Sequence, residues 1–118
     1  MNLRHLDKAE LKAWADLQTP IMLPENAALY FDVGAATVRL VALDALLSRK
    51  DPEADPSSVN RAMVFAQAAA EGRIDKRQPL SVIANEDATF TLLDGTSTLG
   101  AARRSGWTHI PVIVAASA

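Results

Sequence analysis

Leu6, Leu11, Trp14 and Leu17 fall mostly along one helical stripe, with Lys8, Lys12 and Asp16 opposite, so the pattern predicts an amphipathic helix over residues 6–17. Thr19-Pro20 ends it, because the residue before a proline is pushed out of the helical region. Ile21-Met22-Leu23-Pro24-Glu25-Asn26 then reads as an extended or turning connector. Leu29-Tyr30-Phe31-Asp32-Val33 has strand composition and is broken by Gly34. Val38-Arg39-Leu40-Val41-Ala42-Leu43 alternates weakly and predicts a strand buried on at least one face. Asp44-Ala45-Leu46-Leu47-Ser48 follows as a short helical turn with Asp44 as its cap, and the charged, proline-bearing residues 49–56 form a surface loop.

The second half alternates more clearly. Pro56-Ser57-Ser58 is a helix start signal, and Val59 to Glu71 holds five alanines, Met63 and Phe65 with no breaker before Gly72. Pro79 opens a strand over Leu80-Ser81-Val82-Ile83-Ala84, and Asn85-Glu86-Asp87 turns it into Thr89-Phe90-Thr91-Leu92-Leu93, a hairpin over 80–93. Asp94-Gly95 makes a sharp turn into a short helix stopped by Gly106, and Ile110-Pro111-Val112-Ile113-Val114 is the last strand. The order predicts an α/β (α+β) domain with a small mixed sheet of about four strands and packed helices. One domain is expected over 1–118, with 1–26 as an N-terminal helical extension joined near residues 18–26.

Composition changes this picture mainly by exclusion. Nearly half of the 118 residues are apolar and 22% are charged, which is a globular balance. Twelve Lys and Arg against 14 Asp and Glu leave a formal net charge of −2. A broad electrostatic grip on nucleic acid needs a basic face, so direct DNA binding is not expected. No cysteine is present, which removes disulfides, thiolate metal sites and thiol catalysis. Neither a leader-like apolar run at the start nor an uninterrupted run of ~18 apolar residues is found, so the expected location is the cytoplasm, away from membranes.

Candidate chemistry gathers at Asp94-Gly95-Thr96-Ser97-Thr98. A helix that starts straight from this run presents unpaired N–H groups, small side chains and hydroxyls at its positive end, a ready site for a phosphate or carboxylate. The plainer reading is that Asp94, Thr96 or Ser97 caps an ordinary helix. Arg73, Lys76 and Arg77 form the densest cation cluster, just before a strand expected to pair with the one ending at Asp94. They either reach the same anion or form a solvated turn. Arg103 and Arg104 suit the C-terminal end of the short helix. Asp94 is read chiefly as a turn residue accepting from the Thr96 and Ser97 amides, with contact to a divalent metal as the minor alternative. His5 and His109 have no carboxylate support for a metal pair, and no metal site is expected.

The same segments resemble the ParB/sulfiredoxin-like superfamily. The resemblance rests on Thr91-Leu92-Leu93-Asp94-Gly95, Leu99-Gly100-Ala101-Ala102-Arg103, Gly106-Trp107 and Ile110-Pro111-Val112-Ile113-Val114. Upstream, Arg77-Gln78-Pro79-Leu80-Ser81-Val82 is similar to the family's Pro-Ile-x-Val strand start, and Val38–Asp44 to its opening strand; residues 36–115 are covered. Family members with known chemistry place His or Glu followed by Arg after the turn, where this chain has Ser97 and Thr98. An Arg there would hold a phosphate through two charge-assisted hydrogen bonds, whereas Thr98 offers one neutral hydroxyl.

The resemblance implies a divergent ParB-like domain binding a nucleotide, with Mg as a companion ion, or another phosphorylated small molecule at Asp94–Thr98, with Lys76 and Arg77 nearby. Two alternatives stand beside it. One is a non-catalytic protein-interaction module on the same fold, with a protein partner or a second copy. The other is a DNA-associated accessory protein, weakened because the partition branch carries a helix-turn-helix after the core. Whether any reaction is catalysed stays open, since unactivated hydroxyls are poor nucleophiles. The N-terminal apolar stripe is expected to pack on its own chain, closing the sheet's open face, with docking on a partner as the alternative.

Overall fold

The computed structural model describes residues 2–35 and 37–115. Helix α1 (Lys8–Asp16) opens on a reciprocal cap: Asp7 accepts from the Glu10 amide while Glu10 accepts from the Asp7 amide. A short helix α2 (Ala27–Tyr30) and strand β1 (Val38–Ala42) follow. A 3-10 turn (Leu43–Ala45) leads into the two-residue strand β2 (Leu46–Leu47). Helix α3 (Pro56–Ala70) starts with Asp55 accepting from Ser58 N–H and has proline in its first turn, where no amide is needed. Strands β3 (Leu80–Ala84) and β4 (Phe90–Asp94) form the expected hairpin, followed by α4 (Thr96–Arg104) and β5 (His109–Val114).

These strands make one mixed sheet in the order β1-β5-β3-β4-β2. β1 runs antiparallel to β5 and β3 antiparallel to β4, while the β3–β5 and β2–β4 pairs are parallel. The fifth strand is β2, too short for any periodicity to announce, and its register (Leu46 opposite Phe90) comes from the core. Alternation along β3, β4 and β5 sends Leu80, Val82, Leu92, Ile110 and Val112 to one side. There they pack with Val59 and Met63 of α3 and Leu99, Ala101 and Ala102 of α4. On the sheet's other side Leu40 and Leu47 remain about half exposed or more (62% and 49%).

The stretch 29–33 is not a strand. Tyr30 closes α2, and Phe31 makes only an isolated bridge with Arg77. Both consecutive aromatics are buried in the same core, which a strand could not do, because it sends neighbours to opposite faces. A helical turn running into extended backbone solves this. Tyr30 stacks on Trp107 with ring centroids 5.4 Å apart, and Phe31 meets the same indole edge-on at 6.2 Å.

Within the extended connector, Leu23, Pro24 and Glu25 are tied to the core. Leu23 is buried, its carbonyl accepts from Trp107 Nε1 at 2.8 Å, and Pro24 O accepts from the Tyr30 hydroxyl at 2.8 Å. The Glu25 carboxylate accepts from the amide and hydroxyl of Thr108 and from the His109 amide.

α1 packs on its own chain, but on α3 rather than on the sheet. Leu6, Leu11 and Trp14 join Leu3, Phe65, Ala68, Ala69 and Ile74 in a second small core on the outer side of α3. An ion pair from Arg61 Nε to Asp16 at 2.9 Å fastens the helix end. Leu17 falls outside this stripe and is 85% exposed, because the helix closes at Asp16.

Candidate functional site

The turn between β4 and α4 is built by two local devices. Ser81 pairs with Asp94 but Val82 pairs with Leu92, so β4 carries one extra residue and bulges at its end. Gly95 then takes a left-handed φ of 109°, and a Cβ there would lie 2.7 Å from Leu80 Cγ. Only glycine fits both the backbone and the space. The bulge and the glycine together swing the chain from the sheet edge into α4.

Beside this turn is a cleft of about 310 Å³. Lys76, Arg77, Gln78, Pro79 and Leu80 line one side, and Asp94, Gly95 and Thr98 the other. The structure thus brings together five of the seven residues singled out in the sequence. Thr96 and Ser97 are half-buried in the first turn of α4 and do not line the cleft.

The capping expected of Asp94, Thr96 or Ser97 is not formed. Asp94 accepts from the Gly95 amide at 2.9 Å, not from Thr96 or Ser97. α4 therefore opens on a glycine with no side-chain acceptor, whereas Asp7 and Asp55 cap α1 and α3. Its first-turn N–H groups keep their partial positive charge.

The cations divide. Lys76 lines the cleft but has two of its three N–H donors committed to the carbonyls of Leu29 and Ala69, knitting α2 to the end of α3. Arg73 pairs with Glu71 at 3.3 Å and stays outside the cleft. Arg77 is fixed through its backbone, with its N–H on Tyr30 O at 2.7 Å and its carbonyl accepting from Asp32 N–H. Its guanidinium lies over the Phe65 ring, 5.4 Å from the centroid, and makes no hydrogen bond or ion pair among the described residues. Desolvation lowers its pKa, yet an arginine remains charged at any physiological pH.

Other candidates find structural work. Arg103 and Arg104 lie in the last turn of α4 as expected, and Arg104 also reaches back to the Asn60 side chain and the Met63 sulfur, joining α4 to α3. His109 is exposed at the start of β5 beside Thr108. Glu25 was missed by sequence reasoning. No spacing links it to Thr108, yet those hydrogen bonds hold its carboxyl below the ordinary glutamate range.

Among the described residues no three His, Asp or Glu side chains cluster as metal ligands, and no helix is long and apolar enough to cross a membrane. Comparison with protein-family models, with curated proteins and with solved structures gives no match.

Proposed function

We propose that this chain is a divergent ParB/sulfiredoxin-like domain that binds a phosphate-bearing small molecule, a nucleotide being the leading candidate, in the cleft between Arg77 and the start of α4. One observation carries the reading. α4 alone of the three longer helices lacks a side-chain cap, and its open end adjoins a cleft lined by Arg77, a cation with no other polar partner among the described residues. Uncapped amides and a free guanidinium are complementary to a phosphate. Asp94 is exposed in the same cleft and would repel a bare anion. A single carboxylate beside ligand phosphates suits Mg, which keeps most of its waters, so Asp94 would hold the ion and the phosphates would complete its shell.

The test is a thermal-shift titration with inorganic pyrophosphate and nucleoside triphosphates, with and without Mg. Binding should raise the unfolding free energy by about 1.4 kcal/mol for each tenfold excess of ligand over its dissociation constant. Thr98→Glu puts a carboxylate on the first turn, which favours the helix dipole but occupies the cleft. This variant should remain folded and lose the shift. No shift in the parent protein with any of these phosphates, or an undiminished one in Thr98→Glu, would overturn the reading. Asp94→Asn should remove the Mg dependence.

An interaction module on the same fold is supported separately by Leu40, Leu47 and Leu93, which are exposed on the sheet. Sedimentation over a wide concentration range tests it, a monomer throughout counting against self-association.

A further inference from the structure

A hollow of about 770 Å³ lies between α1, α3 and residues 74–77, on the other side of Lys76 and Arg77 from the phosphate cleft. Its floor is apolar: Ile74 is buried and Leu11 and Phe65 are half-buried. Its rim is basic. Five of the chain's twelve Lys and Arg line it, against one acidic residue, in a protein of net charge −2. Several of these charges are already committed. Arg61 pairs with Asp16, Asp75 pairs with Arg4 at 3.1 Å, Lys76 serves backbone carbonyls, and Arg77 stacks on Phe65 and borders the phosphate cleft. Lys8 and Lys12, one turn apart on α1, make no side-chain hydrogen bond or ion pair among the described residues.

We propose that this hollow binds an anionic amphiphile in solution, a molecule with one carboxylate, sulfonate or phosphate head and an apolar body. The body would lie on Leu11, Phe65 and Ile74, and the head would meet Lys8 and Lys12 at the rim. The concentration of cations around an apolar floor selects for an anion that is also hydrophobic, since either feature alone would leave half the lining unmatched. A bilayer surface is a poor occupant, because insertion requires apolar side chains that protrude, and here Ile74 is buried and Leu11 and Phe65 are half-buried.

The experiment uses 8-anilinonaphthalene-1-sulfonate as the fluorescent probe and decanoate as competitor, at low salt. Saturable probe binding that decanoate displaces, and that acetate and decyltrimethylammonium do not, is the expected result. The variant Lys8→Glu/Lys12→Glu changes two side chains without partners, and a glutamate at position 8 favours the helix start. It should keep the parent melting temperature and weaken the probe at least about tenfold through reversed charge at the rim. Full-strength binding in this variant, or displacement by the cationic amphiphile as strong as by decanoate, would overturn the proposal. Sedimentation with phosphatidylglycerol vesicles is expected to leave the protein in the supernatant, and pelleting would instead identify a membrane surface. Arg77 borders both spaces, but Lys8 and Lys12 line only the hollow and Thr98 only the cleft, so the two sets of variants separate failure here from failure of the phosphate cleft.

Discussion

Gly100 decides how closely α4 can approach its neighbours. A Cβ at this position would come within 2.2 Å of the Pro52 carbonyl oxygen and 2.8 Å of Val59 Cγ2. In an exposed helix interior, replacing glycine by alanine stabilises by about 1 kcal/mol. Here the added methyl must push backbone apart, and overpacking of this kind costs roughly 1–3 kcal/mol. Gly100→Ala is therefore expected to lower stability in urea denaturation, and an unchanged or raised midpoint would contradict the contact. Glu25 makes a second residue-scale prediction. Hydrogen bonds from Thr108 and His109 lower its folded pKa, so its contribution to stability is complete above the unfolded value of about 4.3 and is lost as pH falls through the folded value. Asp55 and Asp87 are lowered in the same direction by Ser58 and Thr89. Glu25→Gln should melt below the parent near neutral pH, and the gap should close in acid, where the parent carboxyl is itself protonated. A gap independent of pH would count against the carboxylate.

At the scale of elements, α1 offers the sharpest test. It covers Phe65, Ala68, Ala69 and Ile74 and brings Leu3 into full burial. Deleting residues 1–18 should cost on the order of several kcal/mol, given about 1.5–3 kcal/mol for each large apolar side chain buried. The loss should not vary with protein concentration; an equally stable truncated monomer would show that the helix contributes nothing to its own chain. The elements readable in the sequence are those whose signals are local. Pro56-Ser57-Ser58, Gly72, the Asn85–Asp87 turn and Gly106 bracket α3, the hairpin and α4 within a few residues of themselves. Elements set by distant partners were not readable. β2 exists because Leu46 and Leu47 lie against Phe90 and Thr91, and the helical turn of α2 runs into extended backbone at Phe31 to put Tyr30 and Phe31 on Trp107. The same division runs through the candidate site. Hairpin pairing was enough to bring Arg77 near Asp94, but the capture of Lys76 by the Leu29 and Ala69 carbonyls depends on where α2 comes to rest.

Across the whole molecule, sheet order separates near neighbours in sequence and joins distant ones. The hairpin β3–β4 is local, while β1 pairs only with β5, Ala42 lying opposite His109 and Val38 opposite Ile113. The aromatic contact of Tyr30 with Trp107 and the grip of Glu25 on Thr108 cross the same gap. These contacts require residues near one another in space that are synthesised far apart in time. A nascent chain with α3 and the hairpin already outside the ribosome still lacks the strand against which β1 pairs. Until β5 emerges, the apolar residues Leu23, Tyr30, Phe31 and Val41 have no Trp107, Ile110 or Val112 to bury against. Long-range pairing of this kind is slow to close and leaves edges exposed in the interval. The joining of β1 to β5 thus makes completion of this fold wait for its last strand, and residues 23–41 are the part of the domain with most to gain from a chaperone.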